Sequence, residues 1–384
     1  MRSIGTVSWG IRVPIIKKGD DLENIVVDAV ISASESNNIL LNNRDIVGVT
    51  ESLLARAQGN YVTLDTVGKD INNKFGDEVG IIFPILSRNR FALILKGVSR
   101  GVKKLYVQLN YPNDEVGNPI ASINKIYEKG INPYSDEFTE EEFKNIFNSD
   151  ERKNPFTGVD ILEYYKNLSD NIEIFFSNKP TSMLRYTKNI LVSDIHTRFR
   201  TKEILKEAGA EIIYSLDEIL SESINGSGYN KDYGLLGSNY STDEALKLFP
   251  RDGQIFVNNI QNKLMERTGK KLEVLIFGDG AFKDPAAGIW ELADPVVSPA
   301  FTEGLVGTPS EIKLKFLADS SGLSETEIME KIRLKNKTEK ESLGTTPRKI
   351  TDLVGSLCDL TSGSGDKGTP VVLVQGYFDN YANI

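Results

Sequence analysis

Apolar residues recur at helical spacing early in the chain: Leu22, Ile25, Val26, Ala29, Val30 and Ala33 fall on one face, with Asp20 and Glu23 placed as a capping box. The spacing predicts a helix with a structural role. The stretch Asp45-Ile-Val-Gly-Val-Thr50 then predicts a short buried strand that turns into a helix over 51–58, closed by Gly59. Such a turn leaves free backbone N–H groups beside a strand end. Runs over 79–84, 91–95 and 105–109 predict three further strands.

From about Asn110 to Asn230 the pattern becomes polar, Asn-rich and punctuated by proline, with capped short helices such as the one opening at Thr139. Its second half alternates: strand 171–176, strand 189–193, helix 200–208 ending at Gly209, strand 211–215. That rhythm predicts a small parallel sheet. After Asn230 come a Gly-rich turn, a helix over 254–266 capped by Gly269, a strong strand over 272–277 and a Pro/Gly-rich stretch to Phe301. Thr308-Pro309 opens a lysine-rich helical piece reaching about Lys340; a helix over 347–360, a Gly/Ser loop and a strand over 371–375 end the series. The expected fold class is mixed α/β (α+β): a core built from residues 1–110 and 231–384, with an inserted α/β lobe over 111–230.

A chain of 384 residues can bury one large core or two ordinary ones. Apolar residues make up 40%, and no apolar stretch approaches the ~20 residues needed to cross a bilayer. The first residues lack an apolar core of signal-peptide length, so a cytoplasmic location is expected. One cysteine, Cys358, excludes an internal disulfide framework, and the single histidine, His196, argues against a His/Cys zinc site. Any metal is therefore expected to be a hard ion held by oxygen. A formal charge of −9 argues against nucleic-acid binding, which needs a broad basic face. One run departs from that balance: Arg88, Arg90, Lys96, Arg100, Lys103 and Lys104 occur with no acid among them. They either bind an anionic substrate, chiefly through Arg88, Arg90 and Lys96, or line solvated strand edges.

Candidate chemistry concentrates near the C-terminus. In the loop over residues 361–370, glycines free the backbone to approach a phosphate while Lys367 and two serines supply donors. It lacks the G-x-x-x-x-G-K-[ST] order, so it is either an unorthodox polyphosphate cradle or a connector. Asp279, just past the strand over 272–277, stands where a carboxylate can hold Mg²⁺ or Mn²⁺, or can stabilise a turn between two glycines. Asp352 and Asp359 read as solvated or capping groups. His196 follows Asp194 at a strand end where α/β folds often bind ligands, although no G-x-G-x-x-G follows these strands to support a dinucleotide.

Several separated blocks together resemble one family. Residues 13–22, 45–51 and 55–59, then Gly237-Ser-Asn239, Gly278-Asp-Gly-Ala-Phe282 and the span from Ile350 to Gly376, are similar in content and order to the coenzyme F420-0:L-glutamate ligases. They cover about three fifths of the chain and leave out the segment between Asn110 and Asn230. The resemblance implies a homodimeric ligase that uses GTP and Mg²⁺ or Mn²⁺ to phosphorylate a substrate carboxylate, which the amine of L-glutamate then attacks. It implies that Val13, Pro14, Ile15 and Ile16 line the nucleotide, that Glu51, Ser52 and Arg56 contact it, and that Asn239 meets it. Asp279 would hold metal, and Ser362, Gly363, Ser364, Gly365, Asp366, Lys367 and Gly368 would wrap the phosphates. Arg56 stands where the family usually has lysine, Leu236 where it has a metal-binding aspartate, and Gly280 where it has a hydroxyl. Asp232 or Asp366 would then supply the missing metal oxygen. A non-catalytic nucleotide-binding relative and an oxidoreductase using the inserted lobe are the alternative readings.

Overall fold

The computed structural model describes residues 4–87, 90–154, 158–278, 282–283, 290–291, 297–309, 322, 324–334, 349–363 and 365–379. Along the chain come β1 (Val7–Ile11), α1 (Leu22–Ser36), β2 (Ile46–Thr50), α2 (Glu51–Gln58), β3 (Tyr61–Thr63), α3 (Leu64–Phe75), β4 (Glu78–Ile82), α4 (Phe91–Gly101) and β5 (Lys104–Leu109). Then follow α5 (Ile123–Glu128), β6 (Phe138–Thr139), α6 (Glu140–Ile146), α7 (Ser149–Arg152), α8 (Ile161–Lys166), β7 (Ile172–Phe176), β8 (Asn189–Val192), α9 (Arg198–Glu207) and β9 (Ile212–Ser215). The rest are β10 (Ser238–Thr242), β11 (Ala245–Leu248), α10 (Gly253–Thr268), β12 (Glu273–Gly278), the short strands β13 (Phe282–Lys283) and β14 (Trp290–Glu291), β15 (Val297–Phe301), α11 (Glu325–Leu334), α12 (Ile350–Ser362) and β16 (Val371–Gln375). No described helix is long and apolar enough to cross a membrane.

The described residues of 1–58, 252–282 and 290–384 form the first of two compact units. Its sheet has the order β1-β16-β2-β12-β15; β2 and β12 run parallel, and the other neighbours are antiparallel. Alternation along the strands builds a core on each face. Val47, Val49, Val274, Ile276, Val371 and Leu373 pack with Val26, Val27 and Val30 of α1 and Val257 and Ile260 of α10. Ile46, Leu275, Phe277, Val372 and Val374 pack with Ile350, Val354 and Cys358 of α12. Each such side chain contributes about 1.5–3 kcal/mol on full burial. α12 lies so close that a Cβ at Gly48 would stand 2.5 Å from Cys358 Sγ, which is why a residue without a side chain sits in the middle of β2. The cap of α1 differs from the capping box expected at Asp20. Asp21 is the N-cap and accepts from Asn24 N, whereas the Asp20 carboxylate accepts from Lys17 N at 2.6 Å and shapes the preceding loop.

Residues 59–251 make up the body of the second unit, which takes in all of 111–230 together with β3 to β5, β10 and β11. Its larger sheet has the order β6-β7-β5-β4-β8-β9, parallel throughout except for β6. The parallel pairing expected for 171–215 is present, and β4 and β5 are its centre. A three-stranded antiparallel sheet, β10-β11-β3, completes the unit. One expected strand is a helix: residues 91–95 open α4. Phe91 to Leu95 are five consecutive buried residues, and the polar stripe that marks the helix, Lys96 and Arg100, lies beyond them. α4 packs against α3 at glycines, where a Cβ on Gly101 would fall 2.1 Å from Gly68 O.

Candidate active site at one edge of the first sheet

Register decides which segments of the first unit meet. Ile11 pairs with Val371, Val371 with Val49, and Thr50 with Phe277. The C-terminal ends of β1, β2 and β12 and the beginning of β16 therefore lie along one edge. Onto it open the loop after β1, the N-terminus of α2, Gly278 at the end of β12, and the loop between α12 and β16. Of the residues expected to bind nucleotide, Val13, Pro14, Ile15 and Ile16 sit on the first of these, Glu51, Ser52 and Arg56 on the second, and Ser362, Gly363, Gly365, Asp366, Lys367 and Gly368 on the last. Asp279, Ser364 and Arg88 lie outside the described residues.

Local geometry ties these segments together. The strand-to-helix turn is anchored by Thr50 N donating to Pro370 O at 3.0 Å, which joins β2 directly to the end of the glycine loop. Arg56 Nε donates to Ile16 O at 2.7 Å, so α2 and the loop after β1 hold each other. Arg12 Nε donates to Lys367 O at 3.3 Å, and Thr369 Oγ1 to Ser362 O at 2.9 Å, closing the loop on itself. Ser8 Oγ and Thr361 Oγ1 share a hydrogen bond of 2.7 Å. Gly363 and Gly368 take φ of 62° and 65°, the left-handed region that a side chain disfavours, and this lets the loop leave α12 and enter β16. Gly365 to Lys367 form one 3₁₀ turn with all three residues exposed. Arg12 and Thr369 were not singled out in the sequence; Arg12, one position before Val13 at a strand end, carried the only local signal.

The chemistry of this edge is uneven. Arg12, Arg56 and Lys367 are exposed cations. The first turn of α2 offers backbone N–H groups at its positive end, an arrangement suited to phosphate. Against them stand Glu51, only 1% exposed, and the exposed Asp366. Among the described residues no cluster of three or more His, Cys, Asp or Glu side chains is placed to hold a metal ion. The carboxylates present are oxygen donors, one or two in number, and fit in kind a Mg²⁺ or Mn²⁺ that takes its remaining ligands from phosphate and water.

The other expected residues belong to the second unit. Asn239 is the second residue of β10, and its Oδ1 accepts from Tyr240 N at 2.8 Å. Leu236 is half-buried against the apolar core, and Asp232 is exposed. Arg90 is the N-cap of α4. The rest of the basic run is paired with acids: Lys96 with Glu244, Arg100 with Asp65 and Glu244, Lys103 with Asp77 and Lys104 with Glu173, at 2.6–2.9 Å.

No curated protein sequence matches the chain. The family model described as F420-0:gamma-glutamyl ligase matches residues 10–376, through both units. With nearly its whole length matched, the chain belongs to the F420-0:gamma-glutamyl ligase family.

Proposed function

We propose that the chain is a GTP-dependent ligase that joins L-glutamate to a carboxylate acceptor through an acyl phosphate. The observation that carries this reading is the convergence of the loop after β1, the start of α2, the end of β12 and the glycine loop before β16 on one sheet edge. The glycine loop, free at Gly363 and Gly368, folds around the triphosphate; Lys367, Arg12 and Arg56 offset its charge, and the N–H groups of α2 donate to its oxygens. In the first step an acceptor carboxylate oxygen attacks the γ-phosphorus and the bond to the β–γ bridging oxygen breaks, releasing GDP. In the second, the glutamate amine attacks the acyl carbon, inorganic phosphate leaves, and the amine proton passes to solvent. Charge develops on phosphoryl oxygens in the first step, so fixed donors matter more than a strong base. A divalent ion at Asp279, with Asp366 or Glu51, would supply further neutralisation of the phosphates. If Lys96 also binds the acceptor, it exchanges Glu244 for that anion.

The test is incubation with GTP, Mg²⁺ or Mn²⁺, L-glutamate and a metabolite extract, followed by mass spectrometry. One compound gains the mass of a glutamyl residue, and phosphate appears only when all components are present. A second reading, a nucleotide-binding protein without turnover, is favoured by Leu236, an apolar residue packed on the core where the family carries an aspartate. It predicts GTP binding by calorimetry and no phosphate release with any carboxylate. The homodimer belongs to the same proposal and is tested by sedimentation equilibrium.

A further inference from the structure

The larger sheet of the second unit has a feature that the ligase reading does not use. Numbered by appearance, its parallel strands β4, β5, β7, β8 and β9 lie in the order 3-2-1-4-5, so the winding reverses between β4 and β8. Connections leave these two strands in opposite directions, and in doubly wound sheets the crevice at that reversal, beyond the C-terminal strand ends, is where ligands bind.

Buried polar atoms gather at this place. Ser193 Oγ and Asp194 Oδ1, just beyond β8, have no hydrogen-bond partner among the described residues, although the two residues are 1% and 2% exposed. Leaving such atoms unmatched is unfavourable, and a bound ligand would relieve it. The carboxylate of Asp194 is held at the start of α9, a helix of 10 residues: its Oδ2 accepts from Thr197 Oγ1 at 2.6 Å and Thr201 Oγ1 at 2.9 Å. Its other oxygen has no such donor.

Donors at this edge are already engaged. Glu115, exposed on the loop after β5, accepts from the backbone N–H groups of Ile195 and His196, and Arg198 donates to Ile195 O and pairs with Asp217 at 3.2 Å. Asp114 accepts from Leu86 N, Val116 N, Asn118 N and Asn118 Nδ2, fixing the loops after β4 and β5 to each other. What remains open is the acceptor Asp194 Oδ1 and the Ser193 hydroxyl, which can accept or donate. A ligand that fits must therefore donate hydrogen bonds. The positive end of α9 opposes a full cation at Asp194, and no glycine fingerprint is present to grip a pyrophosphate. We infer that the strand ends of β4 and β8 form a second small-molecule site, independent of the nucleotide edge in the first unit, which takes a hydroxyl-rich ligand such as a ribose or other polyol, a diol donating to Asp194 and Ser193.

Saturation-transfer NMR on the full chain tests this with three probes: methyl β-D-ribofuranoside, methylammonium and inorganic phosphate. The expected result is transfer to the ribofuranoside alone, retained in Lys367→Ala and weakened about tenfold in Asp194→Asn and Ser193→Ala. Ser193→Ala, the milder change, decides the matter if thermal melting shows Asp194→Asn unfolded. Transfer to methylammonium or phosphate in place of the sugar, no transfer to any probe, or a ribofuranoside signal unchanged by both variants overturns the inference. The ligase assay reads the first-unit site separately, so failure of one leaves the other standing.

Discussion

Each unit turns the C-terminal ends of parallel strands toward a set of loops, and the two sets are opposite in character. In the first unit the edge carries exposed Arg12, Arg56 and Lys367 around a glycine turn, with Arg12 and Arg56 donating to backbone carbonyls. In the second, Asp114 and Glu115 tie together the loops after β4, β5 and β8, and Ser193 Oγ and Asp194 Oδ1 are buried without a partner among the described residues. Similar topology thus provides a place for a ligand without fixing its sign: donors and cations suit phosphate, acceptors suit hydroxyls.

The sharpest way to break that comparison is to remove the second unit's central tie. Asp114→Ala leaves four donors unmatched at a buried position and is expected to cost about 4 kcal/mol, read from urea unfolding. A loss under about 1 kcal/mol would mean the loops are held by packing instead. At the first edge the equivalent test is kinetic. Lys367→Ala should lower kcat/KM for glutamyl transfer about a hundredfold, near 2.7 kcal/mol, while the unfolding midpoint stays within error. Equal losses of activity and stability would make Lys367 a structural residue. Gly48→Ala probes the sheet behind that edge: a Cβ driven against Cys358 should destabilise by about 2 kcal/mol, and adding Cys358→Ala should recover part of it in a double-mutant cycle.

The smallest effect concerns pH. The Glu142 carboxyl lies below its ordinary 4.5 because it accepts from the Thr139 backbone N–H and hydroxyl in the capping box of α6. A depressed acid stabilises the fold above its unfolded pKa and loses that contribution as pH falls through the folded value. The stability difference between the wild type and Glu142→Gln should thus be present at neutral pH and vanish in acid; a constant difference would refute the assignment.

Legibility in the sequence tracked the range of the interactions. β2 turning into α2, α10 closed by Gly269 at φ 69°, and β16 were readable because apolar runs and caps are local. The helix α4 was not, since five consecutive buried residues, Phe91 to Leu95, resemble a strand and its polar stripe, Lys96 and Arg100, lies beyond them. The segments at the first edge could be assembled because each is a short motif and the resemblance supplied their order. At the second edge the sequence marked only Asp194 and His196 at a strand end: Asp114 reaches Leu86 across 28 positions and Glu115 reaches His196 across 81, and such pairings exist only once the sheet has formed.

The way the chain is threaded also sets an order of assembly on the ribosome. Residues 59–251 form a nearly continuous body that can close while the remainder is still being translated. The other unit has to wait, because β16, which follows the other described strands in the sequence, is the strand inserted between β1 and β2. Until it arrives β1 lacks its neighbour and the glycine turn lacks one of its anchors, so a nascent chain truncated before Val371 should hold a finished second body and a first one whose sheet is incomplete.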